Sequence, residues 1–192
     1  MMTPAEIAGS VLGVIGVGLM IRQHLLAWPV GMIQVAIYTW VFYDARLYSD
    51  SLLQVAFFVL LGYGWWRWWR GERLGLKRSE LPVRALTLRA RLVYLVVGIG
   101  ATLSWGTLMA KKTDAALPYW DAFVLVFSLI SQWLQARKRI ENWLGWTAVN
   151  VVAVGVYFAK DLYLTAVLYV VFLGLAVVGW FTWRKSLVVK NP

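Results

Sequence analysis

Residues 162–183 read LYLTAVLYVVFLGLAVVGWFTW, running from Leu162 to Trp183 without a charged side chain. A helix needs about 20 mainly apolar residues to cross the hydrocarbon core of a bilayer. This stretch meets that length alone. Trp180 and Trp183 close it just before Arg184 and Lys185, at the kind of boundary where interfacial tryptophans collect. Six further charge-free intervals precede it: Ile7–Ile21, Gln23–Tyr43, Ser51–Trp66, Leu92–Ala110, Ala122–Ala136 and Asn142–Ala159. The shorter ones gain length from interfacial flanks, Tyr48 and Trp69 for the third, and Pro118, Tyr119 and Trp120 for the fifth. An open chain can satisfy its backbone in lipid only as helix, so seven spanning helices are expected.

The composition agrees. Hydrophobic residues make up 61% of the 192, against roughly 45–50% for an ordinary soluble domain. A chain of this size cannot bury that much apolar surface in one soluble core, and a disordered chain would not carry it. With no Cys and a single His, His24, the chain has no disulfide, no thiolate metal site and no His-based zinc site or relay. No cofactor, metal or catalytic residue is expected. The early Glu6, with no basic segment before the first apolar interval, argues against a cleavable signal peptide.

The net charge of +10 invites a nucleic-acid reading, which the placement of the charges removes. With seven spans, fifteen basic residues fall on one side: Arg22, Arg67 to Arg91, Arg137 to Arg139, Arg184, Lys185 and Lys190. The other side holds four: Arg46, Lys111, Lys112 and Lys160. The rule that basic loops stay cytoplasmic then puts the N-terminus outside and the C-terminus in the cytoplasm of an inner-membrane protein. Trp65, Trp66, Trp68, Trp69, Trp180 and Trp183 read as anchors at the cytoplasmic interface.

A gap-free shift of 115 residues overlays two parts of the chain. Trp28 falls on Trp143, Leu47 and Tyr48 on Leu162 and Tyr163, Leu53 on Leu168, and Val55 on Val170. Phe57 falls on Phe172, Gly64 and Trp65 on Gly179 and Trp180, and Trp68 on Trp183. Helices two and three thus correspond to six and seven, with helix four left between two three-helix units. Each helix and its counterpart are four positions apart in the order of spans, an even number, so the repeat is parallel. The expected division is a first three-helix unit at 1–69, a basic cytoplasmic linker at 70–91, a connecting helix at 92–110, a second unit at 115–183 and a tail at 184–192. Transporters built from such repeats bind substrate between the halves near the midplane.

Polar side chains inside spans are costly and point to function. Trp143, Trp146 and Asn150 sit at i, i+3 and i+7 and share one helix face. Asn150 lies ~12 Å into that helix, near mid-membrane. It overlays Val35, so the shared scaffold does not require an amide there. Gln54, which overlays Tyr169, is a similar candidate; Gln34 and Gln132 are weaker ones. Asp121, about one turn inside helix five, suits a helix start or packing as well as ligand contact. There is no P-loop, zinc motif, Ser-His-Asp set or chain of acids across the membrane, which leaves no enzyme reading. Helix seven lacks the lysine that a retinal-linked seven-helix sensor would need.

The segment Leu117-Pro118-Tyr119-Trp120-Asp121, with Arg137-Lys138-Arg139-Ile140-Glu141-Asn142-Trp143-Leu144-Gly145-Trp146 and Asn150, resembles the nicotinamide riboside transporter (PnuC) family. Leu47-Tyr48, Leu52-Leu53-Gln54 and Tyr63-Gly64-Trp65 add to the likeness, which extends from Trp28 to Trp183. The resemblance implies an all-α integral membrane protein with a SWEET-like 3+1+3 arrangement of seven transmembrane helices. It implies facilitated diffusion of an unphosphorylated vitamin precursor, trapped by a cytosolic kinase, with the lipid bilayer as surroundings. Trp143, Trp146 and Asn150 match the family's substrate-contact motif, and Gln54 matches less closely. A pyridinium ring between tryptophan faces gains ~2 kcal/mol or more when desolvated, while amides suit a carboxamide and ribose hydroxyls. Thiamine, another cationic heteroaromatic, fits the same description, and a homo-oligomer is compatible with it.

Overall fold

The computed structural model describes residues 4–44, 48–73 and 82–187. These form seven α-helices in chain order: α1 Pro4–Ile21, α2 Ala27–Asp44, α3 Tyr48–Arg73, α4 Leu88–Lys112, α5 Pro118–Ala136, α6 Glu141–Ala159 and α7 Tyr163–Lys185. Each expected interval overlaps one helix, with α2 beginning at Ala27 where the charge-free interval begins at Gln23. By length and composition α1, α4 and α7 are apolar enough to cross a membrane. Leu92, Val93, Val96, Val97 and Leu103 of α4 are all exposed, as are Leu164, Val167 and Val170 of α7. So much outward apolar surface is what a lipid solvent accommodates.

Two expected boundaries move. α3 continues through the tryptophan cluster to Arg73, and α4 begins at Leu88, so both ends of the expected 70–91 linker are helical. Arginine is a good helix former, and a helix need not stop where the hydrocarbon does. Thr87 caps α4, its hydroxyl accepting from the Ala90 N–H at 3.3 Å. Lys77 and Arg78 lie outside the described residues, as do Arg46, Leu47 and Lys190.

The chain forms two compact units. One holds α1, α2 and α3 with residues 136–138; the other holds α4 to α7 and the segment that begins at Val83. Each is built around one buried tryptophan. In the first, Trp28 is fully buried, its ring lies where a Cβ on Gly64 would be, and it meets Trp68 edge-on at 5.1 Å and 80°. In the second, Trp143 is fully buried against Gly179 and meets Trp183 edge-on at 5.5 Å and 85°. These are the residues that the 115-residue shift superimposes, so the repeat is a repeat of packing. It also corrects one expectation: Trp68 and Trp183, buried at 5% and 0% exposure, are core residues, whereas Trp65, Trp66 and Trp69 are exposed.

Helix ends obey the same correspondence. α1 ends with Gln23 at φ 54°, and the N–H of His24 reaches back to the carbonyl of Leu19 at 2.9 Å. α5 ends with Lys138 at φ 50°, and the N–H of Arg139 reaches the carbonyl of Leu134 at 2.9 Å. This is the Schellman closure, which satisfies a last-turn carbonyl and needs one left-handed residue. Within the first unit these equivalent residues touch: Lys138 Nζ donates to Gln23 Oε1 at 3.0 Å and sits 4.5 Å over the Trp68 ring. The Trp68 Nε1–H donates to the Ala136 carbonyl at 3.1 Å.

In the second unit the segment entering α4 is sewn to the start of α6. Glu141 Oε1 accepts from the Leu86 N–H and from Arg91 Nε, each at 3.0 Å, with Arg91 Nη2 at 2.8 Å. The Ile140 N–H donates to the Arg84 carbonyl at 3.1 Å, and Val83, 1% exposed, bridges to Leu187.

Candidate functional site

α5 carries a polar stripe on its buried face. Ser128, Ser131, Gln132 and Gln135 fall at i, i+3, i+4 and i+7, which places them on one side of the helix. All four are buried, at 6%, 0%, 6% and 6% exposure. Their equivalents on α1 are Gly13, Gly16, Val17 and Met20, an apolar face on which Gly13, Gly16 and Met20 are likewise buried. The same scaffold position is therefore apolar in one unit and polar in the other. Packing follows suit. A Cβ on Gly16 would rest 3.6 Å from Val30, whereas in the second unit Ser131 stands over Gly145, the equivalent of Val30. The small residue has changed helices, which keeps the contact close while leaving a hydroxyl on α5.

Of the α6 residues that the sequence singles out, Trp146 reaches this stripe. The half-buried Trp146 donates its Nε1–H to Gln135 Oε1 at 3.4 Å, a long bond that ties the two helices. Asn150, 4% exposed, makes no hydrogen bond among the described residues. Trp143 stands differently from its motif partners, since its ring is committed to Gly179 and Trp183. Its Nε1 is nonetheless buried without a partner among the described residues, as are Gln132 Nε2 and Asn142 Oδ1. Asn142 does donate, from Nδ2 to the Arg139 carbonyl at 2.6 Å. An unmet buried polar group costs ~1–3 kcal/mol. Trp28 Nε1, the first unit's equivalent of Trp143 Nε1, is left in the same state, so that one belongs to the shared scaffold, whereas Gln132 has the apolar Val17 as its equivalent.

The other candidates separate from this group. Asp121 forms a two-oxygen ion pair with Lys160 Nζ at 2.8 and 2.9 Å, joining the start of α5 to the end of α6. It lies ~10 Å along α5 from Ser128 and ~21 Å from Gln135 at 1.5 Å per residue, beyond the Ser128 end of the polar stripe. Gln34 and Gln54 are half-buried on α2 and α3 in the first unit, and neither makes a hydrogen bond among the described residues. Ser128, Ser131 and Gln135 escape a residue-by-residue reading of the sequence. The signal was present as their helical spacing and as the apolar identity of their α1 equivalents.

Chemically, the α5–α6 face offers neutral amides, hydroxyls and an indole. Among the described residues no group of three His, Cys, Asp or Glu could hold a metal. His24 sits in the α1–α2 turn, its Nδ1 accepting from the Leu26 N–H at 3.2 Å.

A family model described as "Nicotinamide mononucleotide transporter" matches residues 3–185. The chain is 28% identical over 205 residues to the "Nicotinamide riboside transporter PnuC" of Escherichia coli (strain K12), covering 94% of this chain and 85% of that protein. It is 27% identical over 180 residues to the "Riboflavin/roseoflavin transporter RibM" of Streptomyces davaonensis, covering 93% and 84%. A solved structure described as "Crystal structure of the Vitamin B3 transporter PnuC" superimposes with a TM-score of 0.72 at 24% identity, over 93% of this chain and 79% of the other.

Proposed function

Because this chain belongs to the nicotinamide mononucleotide transporter family, a family of membrane transporters and not of enzymes, we propose that it carries nicotinamide riboside down its gradient across the inner membrane. The observation that carries this reading is the unit-specific polarity of α5: Ser128, Ser131, Gln132 and Gln135 stand where α1 has Gly13, Gly16, Val17 and Met20. A polar face that the repeat does not need is there for a cargo.

In this reading the Trp146 ring stacks on the pyridinium, and Gln135, Gln132 and Asn150 serve its carboxamide and ribose. Trp143 is a positioning residue, pinned by Gly179 so that the rest of the motif is held at a fixed height on α6. The face has no cation of its own, so it suits an uncharged ribose better than a phosphate dianion, whose burial unpaired would be prohibitive. That favours the nucleoside over its nucleotide. The seven helices span the membrane as 3+1+3, with the N-terminus outside and the C-terminus cytoplasmic. Transport is by alternating access, with no ion-coupling relay, and a cytosolic kinase makes uptake one-way.

A riboflavin-class cargo is the second reading, favoured by the 27% identity to RibM, nearly that to PnuC. A flavin also presents a flat ring and hydroxyls, but no cation. Purified protein in vesicles should equilibrate labelled nicotinamide riboside and accumulate it only with a kinase inside. Concentrative uptake by the protein alone would overturn the facilitator reading. Titrating nicotinamide riboside, riboflavin and thiamine on one sample separates the cargos. Asn150→Leu should cost ~10-fold or more in affinity for the true cargo, as expected when a polar partner is lost in a buried site.

A further inference from the structure

We infer that the basic end of α3 is a binding site for the phosphate headgroup of an anionic phospholipid. Tyr63, Trp66, Arg67 and Arg70 fall at i, i+3, i+4 and i+7 and share one face of the last turns of α3. The Trp66 ring lies 6.2 Å from that of Tyr63, and the Arg70 guanidinium stands 5.4 Å over Trp66. Arg67 and Arg137 both approach the Tyr63 hydroxyl. A phosphate at this end of α3 would accept forked hydrogen bonds from guanidinium groups. Arg67 and Arg70 make no ion pair among the described residues.

The surroundings fit a lipid and not a free anion. Trp65, Trp66 and Trp69 are exposed at 41%, 51% and 43%, which gives the charged cluster a collar of indoles of the kind that sits at headgroup depth. The scaffold does not demand the cluster. At the equivalent end of α7, Tyr63 is replaced by Val178, Trp66 by Phe181, and Arg67 by Thr182, whose hydroxyl bonds back to the Val178 carbonyl at 2.8 Å. The lysine equivalent to Arg70, Lys185, is therefore left without this arrangement. Basic residues beside a membrane each attract anionic lipid, and here two are preorganised by aromatic rings on a helix.

The test uses the full chain in nanodiscs or detergent, with lipid retention read by native mass spectrometry and by the melting shift on adding phosphatidylglycerol or phosphatidylcholine. The native protein should prefer phosphatidylglycerol, and Arg67→Gln/Arg70→Gln should weaken that preference by about 5-fold for each charge removed. Arg184→Gln/Lys185→Gln, at the equivalent end of α7 where this aromatic arrangement does not preorganise the charges on one headgroup, should cost clearly less, about 2-fold for each charge removed, against the ~5-fold that a well-placed basic residue gives. Inorganic phosphate should give no melting shift. Equal binding of both lipids, equal losses in the two double variants, or a shift with inorganic phosphate matching that with lipid would each overturn the inference. The exposed single variant Arg70→Gln keeps the test available if the double variant does not fold. The inference rests on the membrane reading of the chain. Cargo binding measured on the same samples should be unchanged, so its failure and failure of the lipid site are told apart.

Discussion

The buried Trp143 can be tested through the glycine it leans on. A Cβ added at Gly179 would lie 2.5 Å from Cε3 and Cζ3 and 2.6 Å from Cδ2 of Trp143. Carbon atoms settle at about 3.5–4.0 Å, so the ring would have to retreat by ~1 Å. It has nowhere to go, being 1% exposed and met edge-on by Trp183. Overpacking of this kind costs ~1–3 kcal/mol, and the upper end applies because the obstacle is a rigid ring. Replacing a helical glycine by alanine returns ~1 kcal/mol, leaving a net loss of ~2 kcal/mol for Gly179→Ala. Gly174, on the same helix, has nothing within 4 Å of its would-be Cβ, so Gly174→Ala should gain up to ~1 kcal/mol. The gap of ~3 kcal/mol corresponds to ~6–12 °C in a chain of this length. The assay is the melting midpoint of purified protein, followed by size-exclusion after heating. Trp143→Phe should lower the native midpoint yet recover part of the Gly179→Ala loss in the double variant. If Gly179→Ala melts at or above Gly174→Ala, the tryptophan is not held as described.

Gln135→Leu should free the Trp146 indole and lower cargo affinity ~10-fold, with the melting midpoint nearly unchanged; an unaltered titration would remove Gln135 from the site. Asp121→Asn breaks an ion pair whose side chains are 34% and 31% exposed, so it should cost less than ~1 kcal/mol and leave cargo binding intact. Glu141→Gln weakens bonds to the Leu86 N–H and Arg91, so the Leu86 amide should exchange with deuterium at least ~10-fold faster if ~1.5–3 kcal/mol is lost. Gln23→Lys sets two lysine side chains against each other beside Trp68 and should be far more damaging than Lys138→Gln, which leaves two amides able to pair; equal midpoints would contradict the contact.

The helix count was legible because charge is so costly in lipid that its absence marks each span. Helix ends were less so. Charge-free counting stopped α3 at Trp66, but helix formation ignores the hydrocarbon edge, and the cluster from Trp65 to Arg73 stays helical. The repeat was visible as paired tryptophans and glycines, but not what they do. Only burial reveals that Trp68 and Trp183 clamp a partner ring inside the protein. The same limit applied to Trp143, since a motif tryptophan can face a cargo or hold the helix that does. The α5 stripe was passed over because Ser128 and Ser131 are unremarkable singly; set against Gly13 and Gly16 they are not.

Gln23 and Lys138 are equivalent positions under the 115-residue shift, and they bond to each other at 3.0 Å. Equivalent positions that touch are restricted for as long as they carry the same residue: lysine would face lysine and repel, while glutamine would face glutamine. In one continuous chain each position varies alone. A cation therefore stands on one side, with the amide opposite to receive it and the Trp68 ring to shelter it.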